Sequence, residues 1–173
     1  MRPRTPRDAH DMLLVPPRTI HARELAAAMQ DEQIARFLPQ LAPLRKPAAA
    51  LRWLASLAAS ARTRSPIRIW LVLAGRTRRL AGALELIADT AGGAEIGFWM
   101  RRSARRRGLA TRAVATLCDQ CGANPLRLRT HSQNVAARKL AERCGFVLQS
   151  ELAGVARYVL LKSAAPPGRT GPP

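Results

Sequence analysis

Residues 94–121 join a short apolar run, a knot of arginines and a long amphipathic helix, and few folds accommodate that order. Between Gly108 and Cys121, the side chains of Ala110, Ala113, Val114, Leu117, Cys118 and Cys121 recur at i, i+3, i+4, i+7, i+8 and i+11. That spacing is one stripe of an α-helix. Upstream, residues 94–101 follow the Gly92-Gly93 turn and have the length and composition of a strand. Arg105-Arg106-Arg107-Gly108-Leu109-Ala110 lies between them. The first N–H groups of a helix have no intrahelical partner, and the helix dipole adds positive potential there. Gly108 lets the main chain come close to a phosphate, and the flanking arginines supply charge-assisted contacts. The same residues also read as a solvated basic loop.

The rest of the chain supplies a sheet for this unit. A short strand at 12–15 precedes Pro16 and Pro17, and residues 21–29 carry Leu25, Ala28 and Met29 at helical spacing. Pro39, Pro43 and Pro47 punctuate what reads as a loop. Pro47 then suits the first turn of a helix running to about 61, with Leu51, Leu54, Ala55 and Ala58 as its inward stripe. Residues 67–74 and 79–88 read as a hairpin around the turn at 75–78. Residues 126–130 read as a strand, and 134–144 as a helix capped by Asn134 and ended by Gly145. Residues 146–149 and 157–162 complete a terminal strand pair. The expected fold is therefore a single α/β (α+β) domain over 11–162, a mixed sheet with helices on its faces. A basic tail at 1–10 and a Pro/Gly/Ala-rich tail at 163–173 are expected to be loose.

Composition narrows the function classes. The formal net charge is +18, and almost all of the positive charge is arginine, the only lysines being Lys46, Lys139 and Lys162. A field of that sign attracts polyanions such as RNA or a phosphorylated cofactor and repels a polycationic small substrate; it is also what compositional drift and solubility would produce. A hydrophobic fraction of 47% places the charge on a folded body. No apolar run approaches the roughly 18 residues that span a bilayer, and 12–15 is too short for a signal-peptide core, so the expected location is cytoplasmic, without membrane association. Three cysteines give no paired framework. Cys118 and Cys121 have the spacing of a redox pair or half a zinc site, but both fall on the apolar stripe and read as core thiols, so no metal site is expected. Trp53, Trp70 and Trp99 read as core or pocket wall.

Three segments in one order resemble a known family. Arg105-x-x-Gly108-x-Ala110 is similar to the signature of the GNAT superfamily of N-acetyltransferases. Glu95-Ile96-Gly97-Phe98-Trp99-Met100 looks like the strand before that loop in the branch of ribosomal-protein-alanine acetyltransferases, and Asn134 to Phe146 resembles that branch's later helix and Gly-Phe ending. The resemblance is specific over 94–149 and diffuse before it.

The resemblance implies a GNAT-type, mostly antiparallel sheet splayed between the fourth and fifth strands, with acetyl-CoA as acetyl donor. It implies that main-chain groups of Phe98, Trp99 and Met100 hold the pantetheine arm. Arg105, Arg106, Arg107, Gly108, Leu109, Ala110 and Thr111 would wrap the pyrophosphate, and Asn134 would contact the cofactor or the reacting region besides capping its helix. The acceptor would be a primary amine, foremost a protein N-terminal α-amine, with a ribosomal or RNA-associated substrate suggested by the basic surface. A small-molecule amine and a non-catalytic arginine-rich RNA-binding module on the same fold are the alternatives. The position where many members carry a tyrosine acid is Ala141 here. Glu95 is then the candidate base, against a reading as a surface carboxylate paired with an arginine. His131 is a possible relay or a loop histidine, and Tyr158 reads as packing.

Overall fold

The computed structural model describes residues 12–60 and 65–162. The expected tails, 1–10 and 163–173, and residue 61 at the end of the second expected helix lie outside the described residues. The elements are β1 (Met12–Val15), α1 (Ala22–Ala28), α2 (Glu32–Phe37), α3 (Pro47–Ser60), β2 (Ile67–Ala74), β3 (Arg79–Ala88), β4 (Ala94–Met100), α4 (Leu109–Gln120), β5 (Leu126–His131), α5 (Val135–Arg143), β6 (Val147–Leu152) and β7 (Val155–Leu160). The strands form one seven-stranded sheet in the order β1-β2-β3-β4-β5-β7-β6. Every neighbouring pair is antiparallel except β4 with β5.

That exception opens the sheet. β4 and β5 are in register only at Ala94↔Leu126 and Glu95↔Arg127. From Ile96 onward β4 keeps its β3 partner as far as Gly82↔Met100 but has none on the β5 side. The strands thus diverge toward their C-terminal ends, as expected for a splay between the fourth and fifth strands.

Strand alternation splits the interior in two. Leu84, Leu86, Ile96 and Met100 point to one face and pack under Ala113, Val114, Leu117 and Cys118 of α4 and Leu140 and Ala141 of α5. Leu71, Leu73, Ala83 and Trp99 point to the other, under Leu25 and Ala28 of α1 and Ala50 and Leu54 of α3. The stripe read at 108–121 therefore seats α4 as expected.

Three expectations need correction. The segment read as a loop around Pro39 and Pro43 contains α2 and a 3-10 helix, Pro39–Arg45. Asp31 caps α2 by accepting the Gln33 N–H at 2.9 Å, and Ile34 is buried beneath it. The inward face of α3 is Ala50 and Leu54, while Leu51, Ala55 and Ala58 are exposed. The last two strands are also longer toward each other than expected, closing a tight hairpin at Ala153 and Gly154, both left-handed at φ 50° and 75°.

Candidate active site

The gap leads directly into the arginine loop. After Met100 the chain makes a short 3-10 turn, Arg102–Ala104, and enters α4 through Gly108, which sits at φ 71° as the residue before the first turn. Arg106 is also left-handed, at φ 59°. A side chain at Gly108 would meet nothing within 4 Å, so the glycine is required by backbone conformation and not by packing, and the space over it is open to a ligand. Arg106 and Arg107 are exposed, whereas Leu109 is buried and Ala110 and Thr111 are half-buried. The first N–H groups of α4 therefore emerge beside exposed Arg106 and Arg107, next to the stretch of β4 from Phe98 to Met100 that has no β5 partner.

Arg105 is employed differently from its two neighbours. Its Nε donates to the Met100 carbonyl at 2.9 Å, its Nη1 to Gln33 Oε1 at 2.5 Å, and its Nη2 meets Asp31 Oδ2 at 2.7 Å. The guanidinium ties the loop to the start of α2. At the other end of α2, Arg36 Nη2 donates to Gln133 Oε1 at 2.6 Å, and the Phe37 ring lies 5.7 Å from that of His131. α2 therefore spans the mouth of the gap. Asp31, Gln33, Arg36 and Phe37 were not singled out in the sequence; Asp31 before Ile34, Phe37 and Leu38 at helical spacing was the available signal.

Asn134 stands at the far lip. Its Oδ1 accepts the Ala137 N–H at 3.2 Å, capping α5, and no bond within the described residues engages its amide nitrogen. His131 Nδ1 accepts the Gln133 N–H at 3.1 Å, which in a neutral ring leaves the proton on Nε2. Tyr158 is away from the gap, 2% exposed in the α4–α5 core with its hydroxyl accepting from Arg138 Nε at 3.2 Å. Ala141, also in that core, is fully buried.

The carboxylates lie on the opposite face of the sheet from α4 and α5. Glu95 sits at the closed root of the gap and its Oε1 receives Arg129 Nε at 2.8 Å. Glu85, on β3, lies cross-strand from Gly97, and its Oε2 would come within 3.2 Å of a β-carbon placed there. Burial first, and then the negative charge of Glu95, push the Glu85 carboxyl above its usual range. The Cys118 thiol is pushed up to about 12, mainly by burial, as befits a core thiol. Among the described residues no cluster of metal-ligating side chains occurs, and no helix is long and apolar enough to cross a membrane.

A splayed parallel pair feeding a glycine-capped helix is the arrangement that the sequence resemblance implies, and comparison by sequence decides the family. The profile described as "Acetyltransferase (GNAT) domain" matches residues 11–147. The chain belongs to the GNAT acetyltransferases. No functionally curated protein matches it in sequence. Among solved structures this GNAT chain is similar to the microcin C7 self-immunity acetyltransferase MccE in complex with acetyl-CoA and AMP, at 19% identity and a TM-score of 0.75 over 88% of this chain and 93% of that one. It is also similar to RimL, a ribosomal L7/L12 α-N-protein acetyltransferase in complex with coenzyme A, at 17% identity and 0.73 over 88% and 94%. A spermidine N-acetyltransferase from Vibrio cholerae, with CoA and spermine, follows at 18% and 0.71 over 87% and 95%. These likenesses are of fold.

Proposed function

We propose that this GNAT acetyltransferase moves an acetyl group from acetyl-CoA to a primary amine, foremost a protein N-terminal α-amine. The observation that carries the reading is the gap beginning at Ile96 and running into the Gly108 cap. The residues present fit the cofactor. Along the gap edge of β4 at Phe98, Trp99 and Met100, the main chain of Phe98 and the Met100 N–H suit the amides of a pantetheine arm, Trp99 being paired with Ala83 and the Met100 carbonyl with Arg105, and the open space over Gly108 beside Arg106 and Arg107 suits a pyrophosphate. Leu109, Ala110 and Thr111 supply first-turn N–H groups, and Arg105 holds the loop in place from Asp31. When bound, acetyl-CoA supplies a thioester as the acetyl electrophile.

The chain's remaining tasks are to orient the amine, exclude water and take a proton. Asn134 offers its amide nitrogen at the far lip, and Glu95 and Glu85 offer carboxylates on the side away from α4. Asn134 and Glu95 are the catalytic residues of this reading, Glu95 being held at the root of the gap by Arg129. The α-amine reading rests on energetics. Neutralising an α-amine at pH 7 costs about 1 kcal/mol, against about 4–5 kcal/mol for a lysine, and Ala141 offers no acid where many GNAT members carry a tyrosine. A ribosomal or other RNA-associated acceptor fits the basic surface, and the L7/L12 activity named for RimL points the same way.

The test is calorimetric titration of nucleic-acid-free protein with acetyl-CoA, desulfo-CoA and ATP. The expected result is micromolar, pantetheine-dependent binding that Gly108→Trp abolishes by filling the phosphate loop. Equally weak binding of all three ligands, or unchanged affinity in the variant, overturns the assignment of the loop.

A further inference from the structure

Glu85 is an anomaly in a chain with 29 lysines and arginines against 11 acids. Glu24, Asp31, Asp89, Glu95 and Glu151 each meet an arginine, and Glu32 and Asp119, which meet none, are exposed to water, yet no hydrogen bond or ion pair within the described residues holds Glu85. It is half-buried, and its cross-strand neighbours are Ile69 on β2 and Gly97 on β4. The charged side chains sharing its face on the adjoining strands are Glu95 on β4 and Arg127 and Arg129 on β5, and both arginines are already engaged, by Asp89 and Glu95. A carboxylate in such surroundings costs stability, because it loses hydration and gains no counter-charge.

Its position offers a return for that cost. Gly97 is the second residue of β4 beyond the last β5 pairing, so the absence of a side chain there opens a notch at the edge of the gap, and the Glu85 carboxylate lies over it. α4 and α5 close the other face of the sheet. On the face that carries Glu85, α1 and α3 pack over the Ala83 and Trp99 side, whereas Arg127 and Arg129 of β5 are exposed, so an acceptor entering beside β5 reaches half-buried Glu85 at the edge of the gap.

We infer that Glu85 is the group that takes the proton from the acceptor ammonium, lying over the Gly97 notch, with Glu95 held aside by Arg129. This rests on the acetyl-transfer reading above. An ammonium loses two protons on acetylation. The first passes to a Glu85 oxygen and on to solvent. The second leaves as the C–N bond forms and the C–S bond breaks, and ends on the coenzyme A sulfur. A carboxyl held above its ordinary range is a better match to an amine at neutral pH than a free one.

Glu85→Gln and Glu85→Asp, made in the full chain, test this with two readouts. In the protein alone, a carboxyl with a raised folded pKa costs stability once ionised. Glu85→Gln should therefore melt higher than wild type at pH 8, with the difference shrinking as the pH falls toward 4. In the presence of acetyl-CoA and an α-amine acceptor, kcat/KM of Glu85→Gln should drop roughly hundredfold at pH 6 and approach wild type above the amine's own pKa, with acetyl-CoA affinity unchanged. Glu85→Asp should recover part of the rate. An acidic limb identical to wild type in Glu85→Gln overturns the assignment of Glu85 while leaving acetyl transfer intact, as does a melting difference that ignores pH. Wild-type protein that binds acetyl-CoA and acetylates no amine sinks the functional reading and this one with it.

Discussion

In the proposed reaction Asn134 would divide its work between two atoms of one side chain. The Oδ1 atom caps α5 through the Ala137 N–H, a task any short acceptor could perform. The amide nitrogen is the part that only asparagine brings to the lip of the gap. Asn134→Asp keeps the acceptor and removes the donor, so it should melt close to wild type and still lose kcat/KM by about tenfold, the worth of one hydrogen bond to a reacting ligand. Asn134→Ala should in addition lose about 1 kcal/mol of stability with the cap. Steady-state kinetics beside urea unfolding read the two effects separately, and full activity in Asn134→Asp would return the residue to capping alone. Cys118 illustrates the opposite case at this scale. Its spacing with Cys121 invites a redox or zinc reading, but burial pushes its thiol up to about 12 and leaves almost no thiolate at neutral pH.

Among the elements, α2 is the one that connects both halves of the site. It has six residues, too few to stand on helix propensity, and is held by the Asp31 cap, buried Ile34 and its two polar ends, Arg105 on one side and Gln133 on the other. Asp31→Ala removes the cap and the Arg105 partner together, and should destabilise the protein by about 0.5–2 kcal/mol. Because α2 carries Arg36 and Phe37 at the mouth, the same variant should raise the acceptor KM several-fold more than it changes acetyl-CoA affinity. Equal acceptor KM in wild type and variant would make α2 a mere cover. This element was also the least legible in the sequence. The strands β2 to β5 and the helices α4 and α5 could be read off because period, turn residues and caps agree over long stretches, and Gly108 marked the entry into α4 through its place between strand and helix. α2 lies among prolines with a single turn and a half of pattern, and its reason for existing is a partner 72 residues away, Gln33 to Arg105. Glu85 was invisible for a related cause: that no arginine reaches it is a property of cross-strand neighbours, not of the local sequence.

For the whole molecule, the question is where a net charge of +18 is concentrated. α1 and α3 cover one face of the sheet over β2 to β4, while on that same side β5 and β7 present Arg127, Arg129 and Arg157 as exposed residues. Arg129 and Arg157 stand directly opposite each other in the ladder, a like-charge pairing that costs about 0.2–1 kcal/mol. Arg129 is offset by Glu95, but Arg157 meets no acid among the described residues. The uncovered half of that face, on β5 and β7, is thus cationic, and it borders the acidic pair of Glu85 on β3 and Glu95 on β4. Such a field draws in acceptors that carry an amine at one end and negative charge behind it, and disfavours polyamines. Peptides with acidic residues after the N-terminal one should therefore show a KM roughly tenfold below that of matched basic peptides at about 0.01 M salt, where the Debye length is about 30 Å. At about 0.15 M salt, with screening over about 8 Å, the ratio should contract. Arg157→Glu should abolish the preference with kcat and acetyl-CoA affinity retained, since the residue lies outside the gap and the loop. A basic peptide that matches the acidic one at low salt would show that the arginines serve solubility and not the choice of acceptor.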